Sequence, residues 1–171
     1  VLQKLYNTMP PLIVLHGQTG VGKTLLLKKL PNHLDLEDLA QHRSSLFGAI
    51  NKTPQTQRNF EAQLVQKLRT LPEAHPLFVE GESRKVGQVF IPQTLADAMK
   101  GGTLVLLNAS MKTRISRIVE EYQVCSEQSF QQVDSILKSL RVALGKIKVE
   151  QLCLWLKQEE IEKIVHMLLV E

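Results

Sequence analysis

The octapeptide Gly17-Gln18-Thr19-Gly20-Val21-Gly22-Lys23-Thr24 satisfies the pattern G-x-x-x-x-G-K-[ST] at every fixed position. With glycine at about 7% of residues in general, a chance match in a chain of 171 residues is on the order of one in a hundred. The apolar run Pro11 to Leu15 precedes it and a helical pattern follows, which is the strand–loop–helix order that phosphate binding requires. Glycines let the backbone curl until successive N–H groups converge on phosphate oxygens, and the helix adds its positive end. Gly17 to Thr24 are therefore the candidate phosphate-binding residues, with Lys23 placed to reach the terminal phosphate and Thr24 to ligate magnesium if magnesium is used. A glycine turn of purely structural use is the competing reading, and the flanking pattern weighs against it.

Further strand signals fall at His33–Leu36, Pro76–Glu80 and Thr103–Leu107, with helical stretches between them. The clearest helix is expected to start at Thr53-Pro54, an N-cap followed by proline, with Phe60, Leu64, Leu68 and Leu71 as its apolar stripe. Alternating strands and helices predict a P-loop NTPase-like α/β fold, an open and mainly parallel sheet with right-handed crossovers and flanking helices. After Asn108 only helical patterns remain. One carries Ile115, Ile118, Val119 and Tyr122, and a second runs from Phe130 to Leu144 and ends at Gly145. Two more carry Leu152, Trp155 and Leu156, then Ile161 to Leu169. The expected division is residues 1–110 for the core and 111–171 for a helical appendage.

Composition excludes little. At 43% hydrophobic and 22% charged, the chain reads as an ordinary globular protein. A net charge of +4 permits a polyanionic partner such as RNA without demanding one. No apolar run approaches the roughly 18 residues of a membrane span, and no signal-peptide pattern opens the chain. Cys125 and Cys153 lack metal-ligand spacing and read as buried or idle thiols of a reducing cytoplasm. The chain opens on Val1 with its phosphate loop close behind, so a piece of a longer polypeptide is expected.

Nucleotide hydrolysis or kinase chemistry normally adds an acidic residue at the end of a neighbouring strand. Glu80 and Glu82 stand there, though neither is the usual aspartate, and no N-K-x-D signal for guanine occurs. Asp35 to Arg43 reads first as a helix with acidic start and basic end, His42 and Arg43 complementing the helix dipole. Arg84 follows the third strand at the carboxyl edge of the sheet, where a guanidinium can clamp phosphate bidentately. Arg114 and Arg117 are equally compatible with a lid over phosphates and with solvated surface.

Taken in order, G-Q-T-G-V-G-K-T-L-L-L, D-L-E-D-L-A-Q-H-R-S-S-L-F-G, T-Q-R-N-F-E, V-E-G-E-S-R-K-V-G and I-P resemble the tRNA 2-selenouridine synthase family. The resemblance covers residues 12–122 well and the helical remainder loosely. The phosphate loop is common to very many families, whereas the H-R-x-S-x-F-G and E-x-E-S-R segments discriminate. The chain departs from the family pattern at Ser44, where glycine is usual, and at Gly81, where aspartate is usual. The second departure bears on any metal or water role for the acidic turn.

The resemblance implies a C-terminal P-loop domain whose polypeptide also carries an N-terminal rhodanese-like domain with a catalytic cysteine, a role that transfers to neither Cys125 nor Cys153. It implies a tRNA partner, sulfur replaced by selenium at wobble 2-thiouridine, an S-geranyl intermediate made from geranyl diphosphate, and selenophosphate as selenium donor. Such chemistry needs charge on a departing diphosphate stabilised, with magnesium optional and no activated water. Within that picture the loop and Lys23 hold diphosphate, Arg84 is a second clamp, and His42 and Arg43 contact the leaving group or tRNA phosphate. Glu80 and Glu82 orient Arg84 or Lys23. Two rivals stand beside it. One is a small-molecule kinase or ATPase using ATP or GTP with magnesium; the other is a non-catalytic phosphate- or RNA-binding module.

Overall fold

In the computed structural model, the described residues are 9–170 apart from 44, 51, 73, 74, 82, 123 and 125. Glu82, Ser44 and Cys125, each singled out above, lie outside them. The described residues form two compact units, one within 9–18 and 22–108, the other within 19–21 and 109–170.

The first unit is built on a four-stranded parallel sheet of β1 (Leu12–His16), β2 (His33–Leu34), β3 (Leu77–Glu80) and β6 (Thr103–Leu106), in the order β2-β3-β1-β6. The apolar run ahead of the loop thus becomes a central strand, and parallel pairing brings the carboxyl ends of β1 and β3 to one edge. Helices α1 (Lys23–Leu27), α2 (Leu36–Ala40), α3 (Gln57–Arg69) and α4 (Gln93–Lys100) lie between strands. Phe60, Leu64 and Leu68 of α3 join Leu34, Leu77, Val79 and Leu95 in one buried core, so the helical period read from the sequence is the period that packs.

Two expectations need correction. Helix α3 starts at Gln57, capped by the Thr56 hydroxyl accepting from Asn59 N, so Thr53-Pro54 lies ahead of it and Leu71 lies beyond its end. Gln55 N is bonded to Ala40 O at 3.0 Å, holding this stretch to α2, and the Thr56 cap starts the helix after it. The fourth sheet strand lies at an edge of the sheet, with Leu104 (62%) and Leu106 (68%) exposed. The turn after β3 leads into a hairpin of β4 (Lys85–Val86) and β5 (Val89–Phe90) that the sequence pattern did not reveal. Two residues per strand are too few for a period to register.

The second unit holds α5 (Met111–Tyr122), α6 (Glu127–Ser139), α7 (Arg141–Leu144), α8 (Lys146–Lys157) and α9 (Ile161–Val170). The second correction falls here: the stretch from Phe130 to Leu144 is two helices, not one. Leu140 N bonds back to Leu137 O, tightening the last turn, and Val142 is solvent-exposed. Val133 and Leu137 of α6 and Leu152 and Leu156 of α8 are buried, with α6 packed on α8 and α9 packed on α5 and α8. Ser126 and Ser129 form a reciprocal capping box at the start of α6. Among the described residues no helix is long and apolar enough to cross a membrane.

Candidate functional site

β1 runs straight into the phosphate loop. Gly20 (φ 78°) and Gly22 (φ 93°) take left-handed conformations that a side chain would oppose, and Gly22 caps α1. Lys23, the first residue of α1, turns back so that its Nζ donates to Gly17 O at 2.9 Å, laying the ammonium across the loop.

Beside the loop, the Thr24 hydroxyl donates to Glu80 Oε2 at 3.2 Å, and the Glu37 amide in the first turn of α2 donates to Glu80 Oε1 at 3.0 Å. Glu80 is fully buried (0% exposed) at the end of β3. A buried carboxylate needs such donors, because desolvation without them costs several kcal/mol, on the order of the Born penalty left after relaxation. Glu80 therefore joins three elements: α1, α2 and β3. Among the described residues no group of three or more His, Cys, Asp or Glu is placed to hold a metal. The pair nevertheless fits magnesium at a phosphate site, where that ion keeps waters and phosphate oxygens and takes one or two protein oxygens. Thr24 Oγ1 would be the ligand and Glu80 the acceptor that orients it.

Arg114 and Arg117 have a role that neither reading above foresaw. Within the second unit, Arg114 Nε donates to Thr19 O at 2.9 Å and an Arg117 Nη donates to Val21 O at 2.5 Å. Arg114 is buried. In a trans peptide the C=O of one residue and the N–H of the next point in opposite directions. Guanidinium groups on the Thr19 and Val21 carbonyls therefore leave the amides of Gly20 and Gly22 facing the other way, polarised as anion donors. Gly20 is needed here for space as well, since a Cβ would lie 2.8 Å from Arg114 O and from Ile118 Cδ1.

His42 and Arg43 follow the left-handed end of α2 at Gln41 and serve the folding of the 42–50 loop. The His42 ring bonds to Arg43 O through Nδ1, Arg43 N donates to Gly48 O at 3.1 Å, and Arg43 Nη1 reaches Ile50 O at 3.4 Å. A Cβ on Gly48 would sit 1.8 Å from Arg43 O, and one on Gly87 would sit 2.4 Å from the His42 ring. The glycine ending the H-R-S-S-L-F-G segment is thus a packing requirement.

Arg84 is exposed, with its backbone O accepting from Ile91 N at 2.8 Å. It lines a cleft of ≈ 390 Å³ in the first unit together with His16, Gly81 and Lys100. His16 was missed from the sequence, although its place directly before Gly17 was the available signal. Gly81 lacks a side chain where a Cβ would come within 2.6 Å of the His16 ring. So Lys23 with Gly17, and Thr24 with Glu80, are brought together; Arg84 joins His16; His42 meets the hairpin turn at Gly87, while Arg43 bonds to Gly48 and Ile50. Burial pushes the Cys153 thiol up, with Asp134 adding to it, the opposite of an activated nucleophile.

The family model described as tRNA 2-selenouridine synthase AAA domain matches residues 10–168. The chain is 40% identical over 136 residues to the tRNA 2-selenouridine synthase of Hydrogenovibrio crunogenus, covering 78% of this chain and 38% of that protein. It is 43% identical over 112 residues to the Marinobacter nauticus protein of the same name, covering 64% and 30%. For Pseudomonas syringae pv. tomato the figures are 42% over 120 residues, covering 68% and 33%. The chain thus spans about a third of the length of the curated relatives it matches. No solved structure gives a significant match.

Proposed function

The chain belongs to the tRNA 2-selenouridine synthase AAA-domain family, and from that premise we propose that it is the diphosphate-holding part of a tRNA-modifying transferase. Its ligand is geranyl diphosphate, and its tRNA target is wobble 2-thiouridine. The thiocarbonyl sulfur attacks C1 of the geranyl group, a sulfur–carbon bond forms, and the carbon–oxygen bond breaks with its electron pair leaving on diphosphate. The N3 proton of the thiouridine is released as the S-geranyl base forms. Selenium from selenophosphate then replaces the S-geranyl group, which leaves as geranylthiol while hydrolysis of the selenium–phosphorus bond releases phosphate, in a step that belongs to the whole polypeptide with its rhodanese-like domain.

The observation that carries this reading is Glu80. Both of its carboxylate oxygens accept hydrogen bonds, from Thr24 and from the Glu37 amide, in a fully buried position. Glu80 thereby braces the loop against α1 and α2, holding the phosphate-binding groups in place for a departing diphosphate. The Gly22 amide and the Lys23 ammonium of the first unit stabilise that leaving group, since donors fixed in advance act on charge as it develops. Arg84 adds a second cation near the end of β1. Magnesium, where bound at Thr24, would neutralise part of the diphosphate charge.

Calorimetric titration with geranyl diphosphate, and separately with ATP and magnesium, tests the reading on the wild type and Lys23→Ala. Tight geranyl diphosphate binding, lost in Lys23→Ala, supports it. A clear preference for ATP with magnesium, accompanied by turnover, overturns it in favour of a kinase or ATPase. The Thr24–Glu80 pair is the feature that favours that second reading.

A further inference from the structure

We infer that the cleft beside the end of β1 is the subsite for the isoprenoid chain of the ligand. The inference rests on the diphosphate reading of the loop and adds where the rest of the molecule goes.

Parallel register sets the cleft's position. Val14 pairs with Val79 on one side and Leu104 on the other, and His16 pairs with Leu106. Residues two apart on a strand share a face, so Val14 and His16 line the same side of the sheet. The next residue after His16 is Gly17, so the cleft and the phosphate loop open from the same strand end. Gly81, at the end of β3, leaves room for the His16 ring.

The lining then points to the chemistry. Val14, Ile91 and Met99 are buried walls, Ala96 of α4 is partly buried, and Leu104 stands exposed on the edge strand. The polar groups are His16, Arg84, Gln93 and Lys100. A hydrocarbon chain needs no hydrogen-bond partner from Val14, Ile91, Ala96, Met99 and Leu104, whereas a nucleoside's ring nitrogens and ribose hydroxyls would find partners only at His16, Arg84, Gln93 and Lys100. An anionic head with a hydrocarbon tail matches apolar walls and two cations. The cleft volume of ≈ 390 Å³ falls in the range of small-molecule sites, about 300–1,000 Å³.

The test is titration of the chain with geranyl diphosphate and with inorganic diphosphate, for wild type, Ala96→Phe and Leu104→Gln. Leu104 is exposed, so its variant keeps the fold even if Ala96→Phe does not. The wild type is expected to prefer geranyl diphosphate by about 10-fold or more, from burial of its methylene groups. Each folded variant should lower that affinity by about 10-fold while changing inorganic diphosphate affinity by less than about twofold. Preference for geranyl diphosphate retained in Leu104→Gln and in folded Ala96→Phe overturns the subsite alone. Equal affinity of the wild type for both ligands also overturns the subsite. Failure of the wild type to bind either ligand overturns the diphosphate reading itself.

Discussion

Thr24 Oγ1 lies 3.2 Å from Oε2 of Glu80, tying the last residue of the phosphate loop to the buried end of a neighbouring strand. Since the Glu37 amide depends on the same carboxylate, removing it strands a donor from each of two helices. Glu80→Ala should destabilise the chain by about 2–3 kcal/mol, the usual cost of leaving buried polar groups unpaired. Glu80→Gln, which keeps an acceptor for one donor, should cost less. Urea melts of both variants check the order, and equal stability of Glu80→Ala and wild type would contradict the bracing role.

Lys23 reports on the loop without holding the fold. Its bond to Gly17 O is local, so Lys23→Ala should melt within a few degrees of wild type. Diphosphate affinity should fall by about 10- to 100-fold, the worth of one charged hydrogen bond. Calorimetry with inorganic diphosphate reads the second number and thermal melting the first.

Gly20 combines a left-handed backbone with a close approach to Arg114 and Ile118. Gly20→Ala should therefore cost about 2–4 kcal/mol, adding backbone strain to overpacking, and should weaken anion binding as well. Arg114→Ala should weaken anion binding through the Thr19 peptide, although the guanidinium bonds a carbonyl and not the ligand. Undiminished diphosphate affinity in a folded Arg114→Ala would remove that role.

Gly48→Ala separates the packing role of the H-R segment from a ligand role. A Cβ 1.8 Å from Arg43 O cannot be accommodated without moving backbone, so a loss of about 2–3 kcal/mol is expected in a urea melt.

Cys153 should alkylate slowly. Its thiol is held above the ordinary cysteine value, so less thiolate is present at any given neutral pH than on a free thiol. Because the shift is upward, the iodoacetamide rate should rise with pH along a curve displaced to higher pH than that of glutathione. Peptide mapping after timed alkylation reads the rate at this residue.

Much was legible in the sequence because it rests on local patterns. The loop needs glycines at fixed spacing and a Lys-Thr pair, and a buried parallel strand needs a short apolar run, as Leu12–Leu15 shows. The stripe of Phe60, Leu64 and Leu68 reads as a helix because packing uses the same period that the sequence displays. What tertiary structure alone decided are the partnerships between residues far apart in the chain. Thr24 with Glu80, Thr19 with Arg114, and His42 with Gly87 depend on strand order and on how loops return, and no local period encodes those. The exposed Leu104 is the plainest case. Residues Thr103–Leu107 look as apolar as a central strand, but sheet order alone puts them at an edge, because pairing is a long-range choice that propensity does not make.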